Sequence, residues 1–331
     1  MVPSDVRLVE KRVLGKNPFW CEVASVQEGS RKAIVAAFSA NLGIALAKLV
    51  GFFITGSAGL LAEAGHSLAD TGNQALLLWG AKRSSRAADA AHPFGYGPER
   101  YFWGFVVAMV LFSMGGLFAL YEGISKVRHP HQLESPVVGF GILILAVGLE
   151  TYSLYTALQA AKLVRLPGTS LWQFIRTAKQ PELPVVLLED IGAEAGLLMA
   201  LIGLTLAVIT GDPRWDAAGS ISIGALLVVI AFVLAHEMKD LLIGESASDE
   251  NQRAIETALS TAPHVNALIH LRTMHLGPDR LLVAAKLEFD ASISVPELAR
   301  AIDGAEAKLR AAVPLATTIY IEPDVRRSAP A

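Results

Sequence analysis

The stretch from Ala58 to Ala81 reads AGLLAEAGHSLADTGNQALLLWGA. It is long enough to cross a hydrocarbon core, which takes about 20 mostly apolar residues. Its polar residues Glu63, His66, Asp70 and Asn73 recur at helical spacing, so all four lie on one stripe of a helix. Ionisable groups in a membrane are costly and usually face the bundle interior. The stretch predicts a membrane helix with a functional polar face.

The composition of the whole chain agrees with a membrane protein. Its 331 residues are 53% hydrophobic and 18% charged, with a mean hydropathy of +0.45, whereas soluble domains carry about 25% charged residues. We predict an α-helical membrane bundle of six transmembrane helices, the first two joined by Gly56 and Ser57 alone. The predicted spans are Ala33–Thr55, Ala58–Ala81, Phe102–Ile124, Pro136–Ala160, Pro184–Thr210 and Ala217–Ile243.

The distribution of Lys and Arg predicts the orientation. Basic residues concentrate in the N-terminal segment and in the loops after the second and fourth spans, whereas the opposite loops carry only Lys126, Arg128 and Arg214. Cytoplasmic loops retain positive charge, so we expect both termini in the cytoplasm. The first 30 residues contain no continuous apolar stretch, so we expect no cleavable signal peptide. The Ala, Leu, Val and Gly content favours a bacterial plasma (inner) membrane.

Charge and cysteine content narrow the chemistry. The formal net charge of −3 gives no overall basic excess, so nucleic acid is not an expected partner, whereas membrane lipid is. The single cysteine, Cys21, excludes an internal disulfide and a cysteine-rich metal cluster. Any metal ligands must therefore come from His, Asp and Glu.

The pattern changes after Gly244. Residues 249–260 and 295–312 favour helices, and residues 267–275, 281–289 and 317–321 favour strands. The predicted order is α-β-β-α-β, a small ferredoxin-like or metallochaperone-like α+β domain in the cytoplasm. We therefore predict an N-terminal segment 1–30, a transport domain 31–244, a cytoplasmic domain 245–325 and a disordered tail 326–331.

Five side chains in two spans have the chemistry of a metal site. His66 and Asp70 lie one helical turn apart, the spacing at which an imidazole and a carboxylate can reach one divalent ion. The fifth span adds Glu189, Asp190 and Glu194, and the last two form a second pair one turn apart. We interpret the five as a metal site. Asn41, Glu63 and Asn73 are possible secondary members, and for Asn41, Asn73 and Glu150 a packing role has equal weight.

These motifs resemble those of the cation diffusion facilitators, the proton-coupled divalent-metal exporters. The similar segments include Ala40-Asn41, Lys48, Gly56-Ser57, Leu61 to Thr71, His92-Pro-Phe-Gly-Tyr-Gly97, Glu99-Arg100, Asp216 and Ile319-Tyr-Ile-Glu-Pro323. The resemblance implies a membrane domain that carries the ion and a cytoplasmic domain that forms a homodimer and, in some members, binds regulatory metal.

Two departures from the family pattern concern metal ligands. Zinc-type members carry His-x-x-x-Asp on the fifth helix, and here Val186 takes the histidine position while Asp190 keeps the aspartate. A Glu-Asp pair at this point is similar to the branch with the mitochondrial zinc-transporter homologues. In the tail, Lys286 and Ile321 stand where ligands align. His275 and Asp279 across the Gly277-Pro278 turn are an alternative ion site, weighed against an ordinary surface turn.

The sequence therefore predicts a secondary transporter rather than an enzyme. We expect proton-coupled export of a divalent cation, zinc by preference and iron(II) or manganese(II) as alternatives. His66, Asp70 and Asp190 would bind it, and either Glu189 or Glu194 would complete the shell. The competing hypotheses are a metal-sensing scaffold without transport and a membrane-embedded metallohydrolase.

Overall fold

A computed structural model describes residues 35, 38–39, 41–47, 49–50, 53, 58–129, 136–165 and 168–326; within these, the side chains of residues 58–66 and 138 are also outside the description. The described residues between 35 and 53 are helical, and 10 of the 23 residues of the first predicted span lie outside the described residues. Two compact units divide the described residues. One contains the described residues within 26–85 and 99–239, and the other contains those within 86–98 and 240–326.

The first unit is a bundle of long helices. They are α1 (Ala58–Ser84), α2 (Glu99–Arg128), α3 (Pro136–Val164), α5 (Glu182–Thr210) and the greater part of α6 (Arg214–Ile243), with the short α4 (Leu171–Thr177) between α3 and α5. Four of them are long and apolar enough to cross a membrane by length and composition: Glu99–Arg128, Gly139–Val164, Glu182–Thr210 and Arg214–Ile243. The 27-residue α1 is not among these four, because its polar stripe lowers its hydropathy. Six spans are therefore not confirmed.

Large apolar side chains on the outside of the bundle show how it meets its surroundings. Met114, Ile209 and Phe232 are 67%, 76% and 72% exposed. Soluble proteins rarely expose contiguous apolar surface on this scale, whereas lipid is a favourable environment for it. The bundle is therefore the membrane part of an integral membrane protein.

Glycines allow α2 and α6 to approach closely. A Cβ on Gly224 would lie 2.7 Å from the backbone nitrogen of Leu120, and one on Gly123 would lie 2.8 Å from that of Ile221. Small residues at such crossings let membrane helices pack by van der Waals contact. Between these crossings and the start of α2, residues Leu111–Leu117 adopt a π-helical turn, a feature that often lies at functional sites.

Two sides of the bundle are distinguished by the helix ends. The last turns of α1 and α3 carry Lys82, Arg83 and Lys162, and α2 and α5 begin on that same side. We call it the basic side. The opposite side, where the short connections α2–α3 and α5–α6 lie, is called the short-loop side.

The second unit contains a three-stranded sheet and two helices. Its elements are α7 (Asp249–Ser260), β1 (Val265–Gly277), β2 (Arg280–Phe289), α8 (Val295–Ala312) and β3 (Ala316–Asp324). Strand β2 is central, antiparallel to β1 and parallel to β3. The predicted α-β-β-α-β order is confirmed, and α7 and α8 have the predicted bounds. A capping box of Ser294 and Glu297 fixes the start of α8.

Candidate metal centre

The polar stripe of α1 is described in its second half. Asp70 is 8% exposed and Asn73 is 3% exposed, so both side chains are buried inside the bundle. The side chains of His66 and Glu63 lie outside the described residues, and so does Lys48. Asn41 is buried at 4% exposure. The stripe therefore faces inward at Asp70 and Asn73, as its spacing predicts.

Glu189 meets this stripe from α5. Asn73 Nδ2 donates a hydrogen bond to Glu189 Oε1 at 2.6 Å, and the Asp70 carboxyl interacts electrostatically with that of Glu189. Glu189 Oε2 has no hydrogen-bond partner among the described residues, although it is buried. Asp70 and Glu189 also line the same cavity of about 270 Å³. Two acids from different helices thus share one cavity.

Asp190 and Glu194 turn towards α3 instead. Ser153 Oγ donates to Asp190 Oδ2 at 3.2 Å, and Thr151 Oγ1 donates to Glu194 Oε1 at 3.0 Å. Asp190 interacts electrostatically with the buried Glu150 and with Asp70. Asp190 therefore interacts with an acid of α3, Glu150, and with an acid of α1, Asp70. Glu194 is hydrogen-bonded to α3.

Several polar residues of this region were not singled out from the sequence. Thr151 and Ser153 follow Glu150 in α3, and this local polar cluster is the signal that could have identified them. Gln74 follows Asn73, is completely buried and has no hydrogen-bond partner for either side-chain atom among the described residues. Its polar atoms are part of the cost of keeping a polar face inside the bundle.

Within the described residues, no three His, Cys, Asp or Glu side chains stand close enough together to hold a metal ion. Asp70 and Glu189 form a pair, and the His66 side chain, which the sequence adds one turn before Asp70, is not described. The five-residue assignment therefore stays a prediction. What the structure brings together is Asp70, Asn73 and Glu189, with Asp190 beside them.

Of the two tail positions that align with family ligands, Lys286 belongs to an ion-pair cluster, whereas Ile321 is an apolar residue packed against the core of the tail unit. Lys286 on β2 contacts Glu322 at 3.0 Å and Asp324 at 3.2 Å, both on the adjacent β3. Hydrogen bonds from Lys286 to these two carboxylates raise the pKa of Lys286 above its ordinary value. A charged ammonium at this place repels a cation.

The alternative tail site falls at the β1–β2 turn. His275 on β1 is only 4% exposed, and its Nδ1 lies 3.4 Å from the carbonyl oxygen of Gly277. Its backbone N–H donates to Glu245 at 2.8 Å. An ion site with Asp279 stays a prediction; the buried ring beside a carbonyl is typical of a packing role.

The loop His92-Pro-Phe-Gly-Tyr-Gly97 belongs to the same unit as the tail. Asp89 Oδ1 accepts hydrogen bonds from the backbone N–H groups of Ala91 and His92, and its Oδ2 accepts one from the Tyr96 hydroxyl at 2.6 Å. The Tyr96 hydroxyl, and then the His92 N–H, lower the pKa of Asp89 below its usual range. Arg280 of β2 donates to the Phe94 carbonyl oxygen at 3.4 Å. The loop is thus organised by its own polar contacts and touches the tail sheet.

Comparison with known proteins completes this picture. The family model described as the cation efflux transmembrane domain matches residues 34–243, and the one described as the cation efflux protein cytoplasmic domain matches residues 247–324. The chain belongs to the cation diffusion facilitator family. The resemblance predicted from the motifs is therefore confirmed.

Named relatives of this facilitator come from animals, plants and bacteria. It is 32% identical over 267 residues to the proton-coupled zinc antiporter SLC30A9, mitochondrial, of Xenopus laevis, covering 80% of this chain and 48% of the relative. It is 30% identical over 270 residues to metal tolerance protein C4 of Arabidopsis thaliana, covering 80% of this chain and 58% of the relative. It is 27% identical over 266 residues to the cation-efflux pump FieF of Serratia proteamaculans, covering 80% and 82%. The facilitator spans about half the length of the SLC30A9 proteins that it matches.

Proposed function

We propose that this chain exports a divalent transition-metal cation from the basic side of the membrane in exchange for protons, and that zinc is its preferred ion. The observation that carries the proposal is the pairing of Asp70 on α1 with Glu189 on α5 in one cavity. Two buried acids on different helices are costly in a membrane and mark an ion or proton path. Relatives named as a proton-coupled zinc antiporter and as a cation-efflux pump support the same activity.

We assign the ligands to His66, Asp70, Asp190 and Glu189. Of the two candidates for the fourth ligand, Glu189 is favoured because it interacts with Asp70 and lines the same cavity. Glu194 is held by Thr151 on α3. One imidazole with several carboxylates is a harder site than one with two histidines, so iron(II) and manganese(II) are the alternative ions.

Proton coupling follows from the chemistry of these ligands. Carboxylates and imidazole bind a metal ion only when they are deprotonated, so metal and protons compete for the same atoms. Exposure of the site to a side with more protons would release the metal. Helix motion that exposes the site alternately to the two sides would turn this competition into exchange.

We further propose that the chain works as a homodimer joined through its tail, since the match to the family's cytoplasmic domain supports a shared role for this unit. The proposed location is a bacterial plasma membrane with both termini in the cytoplasm. This rests on the composition and on the basic residues at the ends of α1 and α3.

The test is a reconstitution in liposomes that enclose a pH-sensitive dye. Zinc, iron(II) and manganese(II) are added separately to the full chain, to Asp70→Ala and to Asp303→Ala. We expect metal-dependent proton movement, largest with zinc, that is lost in Asp70→Ala and kept in Asp303→Ala, because Asp303 is an exposed carboxylate on α8. Unchanged flux in purified, folded Asp70→Ala would overturn the site assignment. Metal binding without proton movement for any ion would favour the sensor hypothesis.

His66 sets the selectivity in this proposal. Replacing its imidazole by a carboxylate in His66→Asp makes the site harder, so we expect the preference to move from zinc towards manganese(II). The measurement is the ratio of zinc to manganese flux in the same liposomes. An unchanged ratio would count against His66 as a ligand.

A further inference from the structure

The two ends of α5 differ in how they are packed. All residues from Pro181 to Asp190 are buried, which covers every face of the first two and a half turns of the helix. From Ile191 onwards, buried and partly exposed residues are mixed. The space between Glu189 and the basic side is therefore filled by tightly packed side chains.

A cavity extends in the opposite direction. It begins at Asp70 and Glu189, follows α5 past Gly196 to Ala200, and reaches Glu122 of α2 and Ser220 of α6. Ala200 lies eleven positions after Glu189 on the helix, a rise of about 16 Å along the axis. Glu122 has a side chain that is 47% exposed. The cavity thus joins the paired acids to the short-loop side.

A buried ion pair closes the packed end. Arg100 is the second residue of α2 and Glu182 is the first residue of α5; Arg100 Nε donates to Glu182 Oε1, and the two side chains are 11% and 1% exposed. One turn further along α2, a Cβ on Gly104 would lie 2.8 Å from Met238 Sδ of α6 and 3.5 Å from the Cβ of Pro181. Three helices therefore meet closely where the two charges pair.

A second Arg–Glu pair on the same side provides a contrast. Arg83 of α1 and Glu99 of α2 lie 2.9 Å apart, but their side chains are 41% and 22% exposed. Exposed pairs of this kind contribute little to stability because water competes for both charges. Separating a buried pair without hydrating both charges leaves an uncompensated charge inside the protein, which is strongly unfavourable.

We propose that the Arg100–Glu182 pair is a latch that keeps the basic side closed while the paired acids are open to the short-loop side. Arg100 and Glu182 are positioning residues in this role and bind no metal. The charges can separate only if water reaches both of them, so the latch favours two discrete arrangements over a gradual opening. The latch rests on the proposed function, since it regulates access to the proposed site.

The test uses thiol accessibility, which requires no transport. In a Cys21→Ser background, Val186→Cys places a thiol on the same stripe of α5 as Glu182 and Glu189, between the latch and the acids, and Ala200→Cys places one in the cavity. A membrane-impermeant thiol reagent is applied to either face of the vesicles. With the latch intact, we expect Ala200→Cys to react from the short-loop face and Val186→Cys to be protected from the basic face.

Breaking the latch should reverse this pattern. In Glu182→Gln we expect Val186→Cys to react at least tenfold faster from the basic face and Ala200→Cys to react more slowly from the other face. Arg100→Gln should act alike, and the charge exchange Arg100→Glu with Glu182→Arg should restore protection. Glu99→Gln, which breaks the exposed pair, is the matched control and should change neither rate.

The latch proposal would be overturned if the labelling rates of Val186→Cys and Ala200→Cys were unchanged in folded Glu182→Gln and Arg100→Gln. It would also be overturned if Glu99→Gln changed these rates as much as the latch variants do. If Glu182→Gln does not fold, Arg100→Lys keeps the charge but not the fork geometry and is expected to give intermediate rates. Failure of the proposed function gives a different result: labelling would still shift in the latch variants while the liposome assay showed no metal-dependent proton movement.

Discussion

The membrane bundle and the tail unit treat charge in opposite ways. In the bundle, Asp70, Glu189 and Asp190 are buried, and each faces another acid. In the tail, Lys286 pairs with its acids at the surface, while the core is made of residues such as Leu287, with no exposed area. The tail therefore has the arrangement of a stable soluble fold. The bundle instead buries acids against one another, and the proposed cation site rests on this arrangement.

The largest expected effect is the loss of unfolding free energy when an apolar side chain is removed from the core of the tail unit. Leu287→Ala removes a fully buried side chain of the central strand β2 and should cost about 2–5 kcal/mol of unfolding free energy in that unit, because the cavity collapses only in part. Hydrogen exchange of the tail amides in the full chain measures the loss. Tyr320→Ala on β3, 58% exposed, is the control and should change little. Equal losses would show that the tail does not depend on an apolar core.

The next effect separates two acids of the bundle. Glu189→Gln should lower zinc affinity by about 10–100-fold, a loss at least as large as that seen when partners of metal ligands are removed. Glu194→Gln should have a much smaller effect because Glu194 is bonded to Thr151 on α3, whereas Glu189 lines the cavity that it shares with Asp70. Zinc titration of the purified chain with a competing chelator measures both affinities. A larger loss for Glu194→Gln would reassign the fourth ligand.

The smallest effect concerns the loop before α2. The pKa of Asp89 is lowered chiefly by the Tyr96 hydroxyl. The hydrogen bonds that Asp89 accepts are therefore fully formed at a pH above its ordinary pKa, and they are lost as the pH falls through its lowered pKa. In Tyr96→Phe the pKa of Asp89 rises, and the same loss should occur at a higher pH. The pH dependence of hydrogen-exchange protection at the His92 amide, which donates to Asp89, reports the midpoint. Tyr320→Phe is the control and should not change the midpoint. Identical midpoints in Tyr96→Phe and the unmodified chain would contradict the role of the Tyr96 hydroxyl in lowering the pKa of Asp89.

Much of the architecture could be predicted from local pattern. The tail elements were predicted within a few residues because alternation and helical spacing are strong signals, and the start of α8 is fixed by a capping box. The membrane helices α2, α3, α5 and α6 followed from long apolar runs. Helix α1 was recognised by its polar stripe. The same stripe lowers its mean hydropathy, so α1 is not among the four helices that are apolar enough to cross a membrane by composition.

Contacts between distant residues could not be predicted. The spacing of Glu189, Asp190 and Glu194 is compatible with several rotations of α5, and only its packing against α1 and α3 determines which acid meets Asp70. Asn73 could be a packing residue or a site residue on the sequence alone, and only the structure shows that it donates a hydrogen bond to Glu189 of α5. Arg100 and Glu182 are 82 positions apart, and nothing local in either segment relates them.

The sequence by itself determined the membrane character, the order of elements in the tail, the family and the residue types that can bind a cation, because composition and periodicity are properties of neighbouring residues. The tertiary structure decided which acids share a cavity, which side of the bundle is packed shut and which of two Arg–Glu pairs is buried. These depend on how helices rotate and approach one another, and small residues such as Gly104 and Gly224 set that approach through contacts far away in the chain.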